Sequence, residues 1–319
     1  MMRDLATLSL PTAAMVKEKA ESLGFDRCGI ARAEFVDPEG NLGQWLSRDY
    51  HSTMDWIAKA PAIRQDPRLK LPGAQSVVVV ARNYYSPRPE QEAGEGRIAR
   101  YAWGRDYHRA LRKPLRRLSQ FIDGCEDGAR SYCSTDTGPV LERTWAARAG
   151  VGSVGKNSLA LTRTMGSWFF LATVITTVKL DADEPAGDIC GTCRACFEAC
   201  PTGAIVEPYV VDANRCISYQ TIENRGDVPE ALHEGHGDWV FGCDVCQEVC
   251  PWNRFATKTN ATDFLPRRGH VNPNLAKLLS MDEGAFNREF EGTAIRRAKH
   301  SGMTRNAAIA LGNSDEAVV

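Results

Sequence analysis

Eight of the eleven cysteines of this 319-residue chain fall between Cys190 and Cys250, and no other feature limits its fold as much. Cys190, Cys193, Cys196 and Cys200 read C-x2-C-x2-C-x3-C, closed by Pro201. Downstream stand Cys216 and then Cys243-x2-Cys246-x3-Cys250, closed by Pro251. The first run has the spacing that wraps thiolates round a [4Fe-4S] cluster and sends the fourth to a neighbouring one. The second run departs from it, because its first member, Cys216, arrives from a separate segment across residues 217–242. Zinc would accept paired C-x2-C hooks, yet two four-ligand zinc sites have no need of the longer run. Disulfides would require an exported chain, and Met1 to Leu10 carry a single arginine and no sustained apolar core, so neither a secretory nor a twin-arginine leader is expected. Two iron–sulfur clusters are therefore expected. Low-potential clusters carry one electron at a time, which makes the segment wiring without saying what it feeds.

The first run is similar to the cluster loops of bacterial ferredoxins. The crossover of that family, carried onto these positions, pairs Cys190, Cys193 and Cys196 with Cys250, and Cys200 with Cys216, Cys243 and Cys246.

Around this segment the chain reads as an ordinary globular protein, 43% apolar and 25% charged, long enough for one large domain and a smaller one. A net charge of −1 gives no overall attraction to nucleic acid, so a polyanion would need a local basic face. The longest apolar run, Trp168 to Val178, is broken by threonines and too short to span a bilayer; a cytoplasmic protein with no membrane partner is expected. Pro11-Thr12 opens a helix with Val16, Ala20 and Leu23 on one face and Gly24 at its end. A short strand is expected over Phe25 to Ala31, and a helix over Trp45 to Ala58. Ser76 to Ala81 is a β-branched run of the kind buried on both faces of a sheet, and Trp168 to Val178 supplies a second core strand. Pro87 to Gly96 is a surface loop.

From Arg97 to Arg117 there are eight basic residues against one acid, Asp106. Arg105, Arg109, Arg112 and Arg116 share a helical face opposite Leu111, Leu115, Leu118 and Ile122, and Pro114 should kink this helix or mark its first turn. The face is either simply solvated or a phosphate-contact surface with Tyr101, Trp103 and Tyr107 as stacking groups. Gly150-Val-Gly152-Ser-Val-Gly155-Lys156-Asn157 fits G-x-G-x-x-G and nearly fits a P-loop, but helix comes before it and strand after, the reverse of nucleotide-binding order. What remains is a glycine loop that lets backbone and Lys156 approach a ligand. Asp136-Thr137-Gly138-Pro139 is an Asx-type turn, or an acid whose pKa an apolar ligand could raise until it donates a proton. Asp49-x-His51 and Asp106-x-His108 begin a cobalt-ligating D-x-H-x-x-G pattern, but Met54 and Leu111 replace its glycine. Cys28, Cys125 and Cys133 are buried or bystander thiols.

The linked set Arg100-Tyr-Ala-Trp-Gly-Arg-Asp-Tyr-His108, Asp136-Thr-Gly-Pro-Val-Leu-Glu-Arg143, Gly155-Lys-Asn157, the cysteine runs, Cys216-Ile-Ser218 and Phe241-Gly-Cys-Asp244 resembles epoxyqueuosine reductases over nearly the whole chain. The resemblance implies an α+β fold: a cobalamin-binding catalytic domain like that of reductive dehalogenases over residues 1–180, a ferredoxin-like two-cluster domain over 181–256, and a helical segment over 257–319. It implies reductive removal of the epoxide oxygen of epoxyqueuosine at the tRNA wobble position, giving queuosine. Asp136 matches the proton donor. Tyr101, Asp136, Arg143, Lys156, Asn157, Trp168, Ser218, Cys243 and Asp244 are the implied cobalamin contacts. The implied partners are a tRNA anticodon stem-loop and a low-potential electron donor of ferredoxin or flavodoxin type, the chain acting as a monomer. A corrinoid dehalogenase would keep the cofactors and change the substrate; a bare electron carrier would not need 180 residues ahead of its clusters. Ala294 to His300 and Arg305 to Gly312 are similar to the first HEAT-like repeat of longer family members, a lone unit whose apolar face stays uncovered unless it packs on the core. Its four basic residues between 293 and 312, with no acid, could touch RNA phosphates.

Overall fold

The computed structural model describes residues 12–314; the leader reading of Met1 to Leu10 lies outside them. An antiparallel sheet occupies the centre, in the order β1 (Arg27–Arg32), β2 (Ser76–Asn83), β4 (Phe169–Thr176), β3 (Ser131–Ser134). β2 is inner, with Val78 opposite Ile30 on one side and Val174 on the other. Its side chains alternate by the strand period. Val78 and Val80 pack with Val16 and Ala20 of helix Ala13–Ser22 and with Leu111, Leu115, Leu118 and Ile122 of helix Tyr107–Asp123. Val77 and Val79 pack on the other face with Trp145, Ala146 and Ala149. All four valines are at most 1% exposed, each burial stabilising by about 1.5–3 kcal/mol. β1 runs so close to the end of helix Glu142–Arg148 that a Cβ at Gly29 would lie 2.0 Å from the Ala149 carbonyl oxygen.

Three local expectations change. The helix expected over Trp45 to Ala58 is two pieces, Asn41–Ser47 and Asp55–Ala58. Between them Asp49 and Ser52 take left-handed backbone, while the Tyr50 and Asp49 carbonyls accept bonds of 2.9 Å from Ala213 N–H and the Asn214 side chain. Tertiary contacts override the periodicity there. Pro114 sits inside helix Tyr107–Asp123 rather than in its first turn. Trp103 is fully buried, its indole N–H donating to the Ile98 carbonyl at 2.8 Å, so it is no stacking group. Arg109, Arg112 and Arg116 do line an exposed face, and Arg105 pairs with Asp263 at 3.2 Å.

The C-terminal segment has no separate core. Leu275, Leu278, Phe286, Phe290, Ile295 and Met303 pack with Ile98, Trp103, Val240 and Phe241, so the apolar face of the helical unit is covered by the body. Asn306, fully buried, donates to the Thr221 and Val240 carbonyls at 2.9 Å, and Arg305 donates to carbonyls of residues 220, 224 and 226. Arg305 therefore fastens helix Lys299–Gly312 to helix Ile217–Ile222 and is not free for phosphate. No helix among the described residues is long and apolar enough to cross a membrane.

Candidate active site

None of the eleven cysteines is paired in a disulfide. The eight of the central segment gather into two sets. Cys196 lies in the electrostatic reach of Cys190, Cys193 and Cys250; Cys246 lies in that of Cys216 and Cys200; and Cys243 neighbours Cys246 and Cys216. Cys196 also reaches Cys246, so the sets adjoin. The chemistry of the sets fits metal clusters. Burial pushes the thiols of Cys216, Cys243 and Cys246 up, Cys243 well above the ordinary range, and each neighbouring thiolate would push further; positive charge at a bound metal centre is what makes four thiolates favourable together. Backbone N–H groups already point at sulfur: Ala204 N–H donates to Cys200 Sγ at 3.2 Å, and those of Ser218 and Tyr219 face Cys216. Such bonds stabilise ligating thiolates and tune cluster potential.

The inner set (Cys200, Cys216, Cys243, Cys246) leads to Asp136 through aromatic rings. Cys243 and Tyr101 pack on the same small cluster of Ala99, Ile217 and Trp239; the Tyr101 ring meets that of Tyr107 at 6.1 Å; and the Tyr107 hydroxyl donates to Asp136 Oδ2 at 2.9 Å. Tyr107 and His108 start their helix because Asp106 caps it, accepting from His108 N–H at 3.0 Å. His108 then bridges two carboxylates, Nδ1 to Asp106 at 2.8 Å and Nε2 to Asp136 at 3.3 Å. Burial would lower the His108 pKa, but the bonds to Asp106 and Asp136 and their charges override it and push it up to about 9. Its ring is an imidazolium at neutral pH.

Asp136 itself sits in left-handed backbone, φ 60°, and its N–H donates to Glu142 Oε1 at 3.1 Å. Crowding raises its pKa, but hydrogen bonds from His108 and Tyr107 and the charges of His108 and Arg143 win, and the net direction is down. In this structure, without a ligand over the turn, the Asp136 carboxyl is held on the charged side, and 65% of its side chain is solvent-accessible. The group held partly neutral is its neighbour Glu142, pushed up to about 7 by burial and by the charge of Asp136.

The other expected contacts divide. Tyr101, Ser218 and Cys243 are partly exposed, and Arg143 is exposed with its guanidinium bonded to the Ser158 carbonyl. Lys156 donates to the carbonyls of Gly191 and Cys193, the latter at 3.0 Å, and so holds the outer cysteine loop. Asn157 bonds the Cys246 carbonyl at 3.4 Å. Trp168 and Asp244, both 2% exposed, are corrected as direct contacts. Trp168 is in the sheet core, and Asp244 accepts from Arg100 N–H at 2.9 Å and from the Arg100 and Arg88 guanidiniums at 3.1 and 3.3 Å. Residue-by-residue reading passed over the part His108 plays, because Asp106-x-His108 looked like a failed cobalt motif; the signal was its place two residues past a helix cap. Glu142, Glu223 and Arg297 were also missed.

Two clusters' worth of thiolates beside a hydrogen-bonded proton source define an iron–sulfur oxidoreductase. Residues 189–253 match the 4Fe-4S double cluster binding domain model, and residues 64–137 match the epoxyqueuosine reductase QueG model. A Gloeobacter violaceus epoxyqueuosine reductase is 45% identical over 97% of this chain and 98% of its own. The crystal structure of an epoxyqueuosine reductase with an epoxyqueuosine-modified tRNA-Tyr stem-loop superposes with a TM-score of 0.89 at 33% identity, over 94% of this chain and 80% of that one. A Bacillus subtilis epoxyqueuosine reductase with its catalytic aspartate loop swung out of the active site gives 0.88 at 32% identity, over 94% and 81%. The chain belongs to the epoxyqueuosine reductase family.

Proposed function

We propose that this chain reduces epoxyqueuosine to queuosine at the wobble position of tRNA. The full-length family match carries the reading, and the Asp136–Tyr107–His108 cluster beside the inner cysteines supports it. Opening the epoxide and losing its oxygen as water consumes two electrons and two protons, and the chain has a distinct region for each. Cys190, Cys193, Cys196 and Cys250 ligate the outer cluster, and Cys200, Cys216, Cys243 and Cys246 the inner one. Cobalamin, when bound, supplies the reducing chemistry of C–O cleavage. Tyr101 and Arg143, near Asp136, and Ser218, Asn157 and Cys243, near the inner cysteines, would hold it.

Asp136 delivers the proton to the departing oxygen. Its carboxylate takes that proton from the His108 imidazolium while the Tyr107 hydroxyl holds it in place, and a tRNA loop closing over the accessible side chain excludes water and raises its pKa toward that of a donor. Cys193 is the exposed ligand of the outer set, followed by exposed Arg194, so electrons enter there from an acidic low-potential carrier of ferredoxin or flavodoxin type. The chain works as a monomer in the cytoplasm, where its tRNA is. Nucleoside analysis of tRNA from a strain lacking the gene tests the reading: epoxyqueuosine accumulates, and tRNA with normal queuosine overturns it. Joint iron, sulfide and cobalt analysis of anaerobically purified protein tests the cofactors, and protein holding zinc alone overturns them.

A further inference from the structure

The break in the helix expected over Trp45 to Ala58 has a product. It lifts Trp56 onto the short turn Asp55–Ala58, where the side chain stays 42% exposed. The turn is pinned: Thr53 shares a 2.7 Å hydrogen bond with the Tyr219 hydroxyl, three residues past Cys216, and Arg64 donates to the Trp56 carbonyl at 2.9 Å. One face of the indole is covered by the guanidinium of Arg297, 5.3 Å from the ring centroid. Arg297 is in turn fixed flat by Glu223 through bonds of 2.7, 2.9 and 3.0 Å. Glu223 is the dominant partner of Arg297, and Asp136 and Tyr101 are within its electrostatic reach as well. Three segments distant in sequence thus present a guanidinium-backed aromatic plane whose bracing arginine lies within electrostatic reach of Asp136.

We infer that Trp56, backed by Arg297, is a stacking platform for one of the two nucleobases that flank the modified nucleoside. This rests on the tRNA reading above. An aromatic plane with one side braced by a cation and the other open takes any base by its π-face, which suits a loop presented by several different tRNAs. Arg297 is already neutralised by Glu223, so it serves as a brace more than as a phosphate contact.

The test is binding of a fluorescently labelled, epoxyqueuosine-containing anticodon stem-loop to the holoenzyme, with turnover measured in parallel. Trp56→Ala weakens binding and raises KM on the order of tenfold, while kcat at saturation holds; Trp56→Phe, which keeps a plane, stays within about threefold of the wild type. A stem-loop abasic on the stacked side binds the wild type as weakly as the intact loop binds Trp56→Ala, and the two changes together cost little more than either alone. Unchanged affinity in Trp56→Ala, or changes that add in full with an abasic site on either side, overturns the platform and leaves the enzyme reading standing. A wild-type chain that does not bind the stem-loop removes the tRNA reading, and this inference with it.

Discussion

Asp136 and Asp244 are both implied as cofactor contacts by the resemblance, and the fold treats them in opposite ways. Asp136 lies on a turn, accessible to solvent, with a phenol and an imidazolium as donors, and its carboxyl is held below the usual range. Asp244 follows Cys243 and is sealed; burial pushes its carboxyl up, while Arg100 and Arg88 pull it back. An acid that must exchange protons with substrate needs access and a neighbour to refill it. An acid that joins two chain segments needs neither, only counter-charge. Asp244 ties Arg88 and Arg100, ahead of the helix bearing His108, to the loop that carries Cys243 and Cys246, so it sets the distance between the proton source and the inner cysteines.

The largest effect should separate the two at once. Asp136→Asn is expected to lower turnover by roughly two to four orders of magnitude while iron and cobalt contents and thermal midpoint hold, because one positioned proton donor is worth about that much. Unchanged turnover would remove Asp136 from its role. Asp244→Asn is expected to act on the fold, leaving two buried guanidiniums with Glu248 as their remaining charged partner among the described residues, at a cost of about 3–5 kcal/mol by analogy with other broken buried pairs. Denaturant unfolding of the holoenzyme checks it. A variant as stable as the wild type but dead would reverse the assignment.

His108→Gln comes next. The imidazolium makes a charge-assisted bond to Asp136 worth about 1.5–3 kcal/mol, so kcat should fall by at least about tenfold. Because the histidine pKa is raised from 6.5 to about 9, its stabilising contribution is fully present below about pH 6.5 and is lost as pH rises through about 9. Wild-type turnover should show an alkaline limb near there, and the variant should lack it. A limb that survives in the variant belongs to another group.

Legibility in the sequence followed the range of the interaction. Seven of the eight central cysteines lie in two runs of fixed local spacing, Cys216 standing apart, and the sheet core announces itself in the uninterrupted valines of β2. Helix Tyr107–Asp123 likewise shows its leucine face. What local pattern could not show is long-range. His108 and Asp136 are 28 residues apart, and whether the imidazole meets cobalt or carboxylate is settled only when the helix start is laid against the turn after β3. Trp168 reads the same in a core strand or over a cofactor. The platform at Trp56 needs Glu223 and Arg297 from the far end of the chain, and the contact of residues 49–53 with 213–219 is what stops a helix that its own sequence favours.

The smallest effect concerns the carboxyl that lies between the two extremes. Glu142 accepts the Asp136 N–H and the Ser134 hydroxyl, and its pKa is raised from 4.5 to about 7. An acid whose folded pKa is raised binds more protons folded than unfolded between those values, so its contribution to stability falls as pH rises from about 4.5 to about 7 and does not return above. Glu142→Gln keeps an oxygen for both donors and removes the charge. Its thermal midpoint should therefore match the wild type near pH 4.5 and exceed it by a few degrees near pH 8, the size expected for about 1 kcal/mol in a chain of this length. Turnover should change by no more than about threefold, since the side chain orients the Asp136 backbone and gives no proton to substrate. A loss approaching that of Asp136→Asn would instead make Glu142 the proton donor and Asp136 its support, turning the comparison between open and sealed acids into one between two members of a single coupled pair.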